Sequence, residues 1–555
     1  MRPLNRLFAI LALFLTAVSS LPQDANITPR ATSFNNPVLW EDYPDLDVFR
    51  VGSVFYYSSS TFAYSPGAPL LKSYDLVNWT PVTHSVPTLN FGSKYDLPSG
   101  TPGAYVKGIW ASTARYRASN DKFYWYGCID FSKTYVWTAS GTNAKQKDGE
   151  VDAASWKWES HNPIGTCYYD SGLLIDDDDT MYIVYGNPNI QVAQLSADGL
   201  SQVRTQVVFS PPSGTTMEGA RMYKRNGAYY ILVTRPADAE FVLKSTAGPF
   251  GPYTSRTLVS RISGPLANAG FSHQGGMVDT PDGNWYYVAF MDAYPGGRIP
   301  VVAPLKWTGD GWPELVTDAQ GRWGSSYPMP LQTSKTVPPS TGLDEFKGSS
   351  GLSHQWEWNH NPDTSKWALT GAQEGGLVLK TATVTGDLFA ARNTLTRRVA
   401  GPKSRGTFRL DVSKMRDGDR AGAVFFRDQA AYIGVWKQGN DAKIVVVNDL
   451  RLTEGTWKTA ATGNVAATGP TVSNTQDVWF RIDADITPAF GTNTARSATF
   501  SYSVDGGNTF VRLGPALGMS NSWQYFTGYR YAVFNFGTKA LGGEVKVKSF
   551  KMDMV

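Results

Sequence analysis

Three acidic residues occupy the same place in a repeated sequence unit. Asp45 and Glu218 each lie 11 residues before a tyrosine that marks an aromatic strand, and Asp170 lies 12 residues before one. Two carboxylates that face each other across a sugar linkage can hydrolyse it: one protonates the leaving oxygen, and the other deprotonates water or attacks the anomeric carbon. A third carboxylate raises the pKa of the proton donor and holds it in position. The chemistry open to this trio is therefore glycoside hydrolysis.

The repeated unit is a short apolar strand, a polar turn and a second strand rich in Tyr, Trp and Phe. Its five copies are marked by Tyr56, Tyr124, Tyr182, Tyr229 and Tyr286. Their spacing of 47 to 68 residues suits four-stranded propeller blades with loops of variable length. Asn-Gly at 226–227 and Asp-Gly at 282–283 indicate hairpins, because both turn residues need positive φ. We predict a five-bladed β-propeller.

In a propeller, the innermost strand of every blade runs along the central axis, so equivalent positions line one funnel. The three acids are therefore expected to converge there. The two other blades hold Ser112 and either His273 or Gln274 at this position. A single acid before a strand is more often a turn or capping residue, but three acids at one phase of a repeat favour a shared site.

A run of four aspartates, residues 176–179, competes with Asp170 for the third place in this site. Such a run resembles a metal-binding loop. However, it stands where every other copy of the unit has its hairpin turn, at the blade rim. We interpret it as a solvated turn, with calcium binding and catalysis as the less favoured alternatives.

Length and composition bound the fold class and the partners. With 555 residues the chain is too long for one ordinary core, so two domains are expected. Apolar residues alternate with period two in short runs bounded by Gly, Pro, Asn and Asp, which favours an all-β chain. The net charge is only +4 and the basic residues are scattered, so nucleic acid is not an expected partner. No protein partner is implied.

Residues 1–20 read as a secretory signal peptide, with two arginines, an apolar run and then small residues. We therefore expect a secreted, extracellular protein that has no membrane-spanning segment. Asn26 and Asn78 stand in glycosylation sequons, which would be used in a eukaryotic host. Two cysteines, Cys128 and Cys167, are too few for a disulfide scaffold; they either pair or remain buried thiols.

Changes in residue composition and strand pattern divide the chain into a propeller at 29–330, a linker at 331–341 and a second domain at 342–555. The linker is polar and contains a Pro-Pro pair. Alternating strands fill the second domain and predict an antiparallel β-sandwich. Its Trp356, Trp358 and Trp367 could bind sugar, but structural support of the first domain is the favoured interpretation.

Several short motifs together resemble glycoside hydrolase family 43. They are Asn-Pro-Val-Leu (36–39), Pro-Asp (44–45), Ser-Thr-Phe (60–62), Ser-Pro-Gly (65–67), Lys-Gly-Ile-Trp-Ala (107–111), Glu-Gly-Ala-Arg (218–221) and His-Gln-Gly (273–275). The second domain resembles the β-sandwich appended to many members, through motifs at 344–346, 356–362 and 391–396. Two motifs depart from the family pattern: Pro-Asp-Leu replaces Pro-Asp-Pro at 44–46, and Glu-Gly-Ala-Arg replaces Glu-Gly-Pro-His.

This resemblance implies an inverting mechanism with Asp45 as general base and Glu218 as general acid. It implies that Asp170 tunes and orients the acid. The base and acid carboxyl groups of an inverting site lie about 6.5 to 9.5 Å apart, whereas about 5 Å would indicate retention. The chain is most similar to fungal arabinoxylan arabinofuranohydrolases, especially those that remove α-1,3-linked arabinose from doubly substituted xylose. Plant cell-wall arabinoxylan is the implied substrate.

Four further residues are predicted to bind substrate. Tyr168 is expected to share a strand face with Asp170 and to wall the pocket, with plain packing as the alternative. Trp110 matches the family's stacking residue, unless it belongs to a blade core. Arg298 could pair with an acid or with substrate hydroxyls, or form a surface salt bridge. Phe62, from the Ser-Thr-Phe motif, completes the set.

His273 stands at the axial position of the fifth blade. In the family, a histidine there often faces an ion or water in the central channel, so either a structural calcium or a hydrogen-bonded histidine without metal is expected. No cofactor is required for the chemistry. Two rival functions remain open: a β-xylosidase, because the two sugars present similar hydroxyl groups, and a propeller that binds polysaccharide without cleaving it.

Overall fold

The computed structural model describes residues 31–152, 155–348, 351–473 and 477–555. The predicted signal peptide and Asn26 lie outside these residues. Within them, no helix is both long and apolar enough to cross a membrane. Short 3₁₀ helices cover Ser93–Asp96, Thr364–Lys366 and Leu388–Ala390.

Within the described ranges, the first domain is a ring of five four-stranded antiparallel blades, which confirms the predicted propeller. The blades are β2-β3-β5-β6, β7 to β10, β11 to β14, β15 to β18 and β19 to β22, and every marker tyrosine lies on the second strand of its blade. The strands are β1 Ser33–Asn35, β2 Asp47–Val51, β3 Val54–Ser58, β4 Tyr64–Ser65, β5 Gly67–Ser73, β6 Thr80–Val86, β7 Thr113–Arg117, β8 Lys122–Ile129, β9 Lys133–Ser140, β10 Trp158–Ser160, β11 Gly172–Ile175, β12 Met181–Tyr185, β13 Ile190–Leu195, β14 Gln202–Phe209, β15 Glu218–Arg225, β16 Ala228–Arg235, β17 Ala239–Ser245, β18 Thr254–Ser260, β19 Ser272–Asp279, β20 Trp285–Asp292, β21 Arg298–Trp307, β22 Pro313–Leu315 and β23 Ser326–Pro328.

The two ends of the propeller are joined by antiparallel pairing of β1 with β23. Asn36, which follows β1, adds side-chain hydrogen bonds to the carbonyl groups of Val302 and Gly324, at 2.9 and 3.1 Å. β19 of blade five also packs directly against β2 of blade one, and together these contacts close the ring. The aromatic second strands fill the space between blades; Tyr56 and Trp125, for example, are almost completely buried.

The second domain is a sandwich of two antiparallel sheets, as predicted. Among the described residues, one sheet follows the order β26-β27-β39-β29-β34-β35-β36 with β24 and β37 at its side, and the other follows β33-β32-β31-β30-β38-β28-β25-β4. The strands are β24 Gly342–Asp344, β25 Trp356–Asn359, β26 Trp367–Leu369, β27 Leu377–Lys380, β28 Leu395–Arg398, β29 Lys403–Asp411, β30 Asp419–Phe426, β31 Gln429–Gln438, β32 Asp441–Leu452, β33 Thr459–Thr471, β34 Asp477–Asp485, β35 Ser497–Ser503, β36 Val511–Arg512, β37 Leu517–Gly518, β38 Arg530–Gly537 and β39 Glu544–Met554.

The tryptophans that could have bound sugar in the second domain are part of its core. Trp356 and Trp358 are buried, and Trp367 is partly buried and packs against Trp358 with the ring centroids 5.3 Å apart. Their rings are therefore not free to stack on a sugar. The geometry favours structural support over sugar binding for these three residues.

A strand of the propeller belongs to a sheet of the sandwich. β4, in the loop between the second and third strands of blade one, pairs with β25 through Tyr64 opposite Asn359 and Ser65 opposite Trp358. The main-chain N–H of His360 also donates to the carbonyl of Ala63, at 3.0 Å. Main-chain pairing of this kind fixes the two domains in register.

A buried ion cluster reinforces this junction. The carboxylate of Glu357, on β25, accepts hydrogen bonds from Arg398 at 2.9 Å and Arg530 at 2.6 Å, and lies 3.1 Å from Nε2 of His84 in the propeller. Both guanidinium groups also lie over tyrosine rings of the propeller, 4.1 and 3.6 Å from their centroids. Burial alone would raise the pKa of Glu357, but the charges of the two arginines outweigh it and hold that pKa well below its usual range.

We expect Glu357→Gln to lower the free energy of unfolding by about 3 to 5 kcal/mol, because two buried guanidinium groups lose their countercharge. Urea unfolding followed by tryptophan fluorescence measures this. The control is Glu345→Gln, which removes an exposed pair with Lys347 and is expected to cost about 0.5 kcal/mol or less. Equal stabilities of the two variants would contradict the role assigned to the cluster.

Candidate active site

The backbone has unusual conformations at or next to each of the three predicted acids. Asp45 and Asp170 each stand two residues before an innermost strand, with φ values of 55° and 51°. Glu218 begins β15 and precedes a break in register at Gly219, whose φ is 68°. A Cβ on Gly219 would lie 2.9 Å from Cγ of Gln274, so glycine is required there. Left-handed residues and bulges interrupt side-chain alternation and re-aim side chains, and such strain is concentrated at functional sites.

These conformations bring the three carboxylates into one site. The pKa of Asp170 is raised well above its usual range, first by burial and then by the nearby charges of Glu218 and Asp45. The main-chain N–H of Gly219 donates to the Asp170 carboxylate and opposes this rise. Burial and the charges of the same three acids also raise the pKa of Tyr169. All three carboxylates are thus close enough to interact electrostatically.

Glu218 has the surroundings of a proton donor. Its Oε2 accepts hydrogen bonds from Nδ2 of Asn187 at 2.6 Å and from the hydroxyl of Tyr169 at 3.3 Å. Burial raises the pKa of Glu218 and the charge of Asp45 raises it further, although the bonds from Tyr169 and Asn187 act in the opposite direction. A carboxylic acid that keeps its proton nearer to neutral pH can protonate a leaving oxygen.

Asp45 is held by an arginine of the fifth blade. Nη1 of Arg298 lies 2.5 Å from Oδ1 of Asp45, so the arginine takes the predicted option of pairing with an acid. Arg298 is held in turn: its main-chain N–H donates to Asp42 at 2.8 Å, and its Nε lies 3.6 Å from Asp292. The orientation of the Asp45 carboxylate is therefore set by a neighbouring blade.

Arg221 connects the strand starts that carry all three acids. It is completely buried, and its guanidinium donates to the main-chain carbonyls of Asp45 and Leu46 at 3.1 and 2.9 Å. It also donates to the carbonyl of Ser171 at 2.6 Å and to that of Ala220 at 2.9 Å. A group bonded to the innermost strands of three blades must lie near the axis. Arg221 entered the sequence analysis only as a departure from the family motif; an arginine three residues after an acid at the axial position was the available signal.

A cavity of about 350 Å³ opens beside Asp170, and both domains line it. Asp170 and Tyr169 lie on its wall, and its aromatic lining also includes Trp110 and Phe131 from the propeller and Trp457, Trp523 and Phe526 from the sandwich. Phe526 packs 5.7 Å from Trp110, and the Arg298 guanidinium lies 4.9 Å from the Phe526 ring centroid. The sandwich therefore completes the site, which no local sequence pattern could predict.

The predicted substrate-binding residues take different places. Trp110 lines the cavity, with its Nε1 bonded to the carbonyl of Val106 at 3.2 Å. Phe62 is buried and stacks on Phe526 with an interplanar angle of 8°, so it supports the rim without lining the cavity.

The prediction that Tyr168 walls the pocket is corrected by the structure. Tyr168 is completely buried, donates its hydroxyl to Gln202 at 2.9 Å and packs against Tyr185. Tyr169 lines the cavity instead. The expectation assumed an extended strand, whereas the left-handed Asp170 ends the alternation, so residues 168 and 170 do not share a face.

The two cysteines are bonded to each other, which decides between the two alternatives left open. The disulfide Cys128–Cys167 joins β8 to the loop that carries Tyr169 and Asp170. Cys128 also lines the cavity. The cross-link therefore ties the loop that carries Asp170, in blade three, to blade two.

The surroundings of His273 do not fit a calcium site. Its Nδ1 lies 3.0 Å from the carbonyl of Phe271, and its Nε2 lies 4.0 Å from Asp292. The Arg298 guanidinium, 3.6 Å from the same aspartate, already supplies a positive charge there. Throughout the described part of the chain, no group of three or more His, Cys, Asp or Glu side chains is arranged to hold a metal.

The aspartate run at 176–179 forms the hairpin turn between β11 and β12, as its position in the repeated unit indicated. Asp176 pairs with Lys224 at 2.5 Å and accepts from the Tyr229 hydroxyl at 2.6 Å. Asp179 pairs with Arg117 of blade two. These contacts fasten neighbouring blades at the rim, away from the cavity.

Known proteins resemble the chain in both domains. The profile of Glycosyl hydrolases family 43 matches residues 34–313, and that of the Beta xylosidase C-terminal Concanavalin A-like domain matches residues 343–553. A Beta-xylosidase of Formosa agariphila is 27% identical, over 94% of this chain and 90% of its own. The Non-reducing end alpha-L-arabinofuranosidase BoGH43B of Bacteroides ovatus is 26% identical, over 73% of this chain and 75% of its own.

One solved structure is 72% identical to this chain and superposes with a TM-score of 0.92, over 94% of this chain and 100% of the other. It is described as a GH43 glycoside hydrolase whose engineered active site displays both endo-xylanase and exo-arabinofuranosidase activity. The similarity extends over the propeller and the sandwich together.

We expect Arg221→Met to lower kcat about 100-fold, because displacement of catalytic groups by about 1 Å can cost that much. Arg221→Lys keeps the charge but loses the planar set of donors, so its kcat should lie between those of the wild type and Arg221→Met. The control is Arg117→Met, which removes another buried arginine at the blade rim. Steady-state kinetics of glycoside hydrolysis measure the effect, and an Arg221→Met variant with the kcat of Arg117→Met would contradict it.

Tyr169→Phe should move the alkaline limb of the pH–kcat/KM profile to higher pH. The Tyr169 hydroxyl lowers the pKa of Glu218, so its removal raises that pKa. A general acid works while protonated, hence activity persists to higher pH when its pKa rises. Tyr168→Phe serves as the matched control, because the Tyr168 hydroxyl contacts Gln202 and not Glu218. This variant should leave the alkaline limb in place. A shift to lower pH in Tyr169→Phe would contradict the assignment.

Proposed function

Since the chain belongs to glycosyl hydrolase family 43, we propose that it is an inverting, exo-acting α-L-arabinofuranosidase that removes arabinose side chains, chiefly α-1,3-linked ones, from arabinoxylan. The observation that carries this proposal is the arrangement of Glu218 and Asp45. Glu218 has a raised pKa and accepts hydrogen bonds from its neighbours, whereas Asp45 is paired with Arg298 of a different blade. Two carboxylates in different surroundings suit an acid and a base.

In the proposed reaction, Asp45 removes a proton from a water molecule as that water attacks the anomeric carbon. The glycosidic C–O bond breaks, and Glu218 gives its proton to the departing oxygen of the xylan chain. The configuration at the anomeric carbon inverts because attack and departure occur on opposite faces. Asp170, which accepts a hydrogen bond from the main-chain N–H of Gly219 beside Glu218, orients the acid, and proton exchange with solvent restores Asp45 and Glu218.

The choice of arabinose rests on the cavity and on the relative that is 72% identical. The aromatic rim from both domains leaves a small cavity beside Asp170, which suits a single terminal sugar. The description of that relative includes exo-arabinofuranosidase activity. The preference for doubly substituted xylose follows only from the motif resemblance and is part of the proposal.

A β-xylosidase is the second candidate. It is favoured by the Formosa agariphila relative and by the family of the second domain, both of which carry that description. Family membership and the intact trio disfavour the third reading, a propeller that binds polysaccharide without cleaving it. We also propose that the protein is secreted, since residues 1–20 have the pattern of a signal peptide.

Product analysis on arabinoxylan oligosaccharides with singly and doubly substituted xylose tests the substrate. We expect arabinose and no xylose, with faster release from the doubly substituted units. Proton NMR during the first turnovers should show β-arabinofuranose as the first product from the α-linked substrate. Release of xylose would favour the second candidate, and an initial α-anomer would contradict inversion.

Asp45→Ala and Glu218→Ala should each lower kcat on these oligosaccharides by about 10² to 10⁴ or more. The two variants should differ in their activity on 4-nitrophenyl α-L-arabinofuranoside. The nitrophenolate leaves without protonation, so Glu218→Ala should retain much more activity there than Asp45→Ala. Equal losses on both substrates in Glu218→Ala would argue against its role as the acid.

A further inference from the structure

One buried acid of blade four has no part in the proposed reaction. Glu240 lies on β17 and is completely buried. Its Oε2 accepts a hydrogen bond from the main-chain N–H of Gln274, in blade five, at 3.0 Å. Tyr287 of blade five is also completely buried, and Glu240 lies close enough to add to burial in raising the pKa of Tyr287. The carboxyl group of Glu240 is therefore placed at the contact between blades four and five.

The surroundings of Glu240 favour its neutral, protonated form. Burial raises the pKa of Glu240 well above its usual range, and the N–H of Gln274 and the charge of Arg221 only oppose that rise. Arg221 gives its hydrogen bonds to main-chain carbonyls, among them those of Ser171 and Leu46. A protonated Glu240 adds no fourth negative charge to the three acids of the site. Its contacts are then those of a neutral hydrogen-bonding group.

Gln274 connects Glu240 to the bulge beside Glu218. Gln274 has a φ of 43° and stands at a break in the register of β19 and β20, so it has no partner opposite it on β20. A left-handed conformation of this kind persists only where its surroundings hold it. The side chain of Gln274 covers Gly219, since a Cβ there would lie 2.9 Å from its Cγ and 3.0 Å from its Cδ. The two bulges therefore pack against each other, and Glu240 bonds to one of them.

Thr234 is a second contact between Glu240 and the same bulge. It lies opposite Glu218 on β15 and opposite Glu240 on β17. Its hydroxyl donates to the carbonyl of Ala239 at 3.0 Å, and its Cγ2 would lie 3.0 Å from a Cβ on Gly219. Gly219 is thus enclosed by two neighbours of Glu240.

We propose that Glu240 is a positioning residue for the general acid: it holds Gln274 and Thr234 against Gly219 and so fixes the direction of the Glu218 side chain. The inference rests on the proposed function, because it concerns the proton donor of that reaction. Displacement of a catalytic group by about 1 Å can lower the rate about 100-fold, so a residue that never touches substrate can control kcat. Asp45 is held separately, by Arg298.

The kinetic test compares Glu240→Ala and Glu240→Gln with the wild type. Glu240→Ala should lower kcat on arabinoxylan oligosaccharides about 10- to 100-fold. On 4-nitrophenyl α-L-arabinofuranoside it should change kcat by no more than about twofold, because nitrophenolate leaves without protonation. Glu240→Gln keeps a neutral acceptor of the same shape and should retain the wild-type kcat on both substrates. Equal losses on both substrates in Glu240→Ala, or a Glu240→Gln variant as slow as Glu240→Ala on the oligosaccharides, would overturn the proposal.

Gln274→Ala tests the contact and remains informative if Glu240→Ala does not fold. It removes the side chain over Gly219 and keeps the main-chain N–H, so its loss should also be confined to the oligosaccharides. The double variant with Glu240→Ala should lose no more than the slower single variant, because both residues act through one contact. Additive losses, or no loss in Gln274→Ala, would contradict the route through Gln274.

The matched control is Asp419→Ala, which removes a buried acid of the sandwich. Asp419 accepts a hydrogen bond from the main-chain N–H of Arg416 at 2.7 Å, and burial raises its pKa. This variant should lower Tm and leave the ratio of the two kcat values unchanged. A change in that ratio as large as in Glu240→Ala would show that loss of any buried acid has this effect.

A crystal structure of Glu240→Ala separates this inference from the proposed function, because it measures position without catalysis. We expect the Glu218 carboxylate to move by about 1 Å while the Asp45 carboxylate stays in place. An unmoved Glu218 would overturn the inference, whatever the substrate of the protein. Failure of the proposed function would appear instead in the wild type, as absent hydrolysis of both arabinosides.

Discussion

The buried guanidinium of Arg221 is the constraint on which the site depends. It donates to main-chain carbonyls beside Asp45 and Asp170 and to that of Ala220, so three blades share one planar group. A buried charge is costly unless its donors are satisfied. Here those carbonyls satisfy them, and the carboxylate of Asp47 lies 3.7 Å from its Nε. The relative positions of the three strand starts are therefore set by hydrogen bonds that cannot break without leaving a buried charge unsatisfied.

The second constraint is the docking of the sandwich. Arg427, completely buried, donates to the carbonyls of Ser520 and Thr527 and so shapes the loop that carries Phe526. Asp42 accepts from the N–H groups of Arg298 and Gly528, at 2.8 and 2.9 Å, which joins that loop to the blade that holds Asp45. The cavity rim and Asp45, the proposed general base, are thus connected through the same few hydrogen bonds, and both domains build the site.

Sequence reasoning succeeded where a repeat supplied the geometry. The five aromatic strands and the common phase of the acids predicted both the propeller and the meeting of Asp45, Asp170 and Glu218, because equivalent positions of blades face one axis. It failed where backbone conformation departed from the repeat. Tyr168 was assigned to the pocket by strand alternation, but the left-handed Asp170 gives that place to Tyr169.

The sequence alone therefore determined the fold class, the family and the acidic trio, since all three follow from local periodicity and short motifs. Only the tertiary structure decided that Arg221 ties the blades together, that the two cysteines pair and that Phe526 and Trp457 of the sandwich line the cavity beside Asp170. Each of these contacts joins segments far apart in the chain. Their side chains have no periodic signature, and packing between blades and domains alone brings them together.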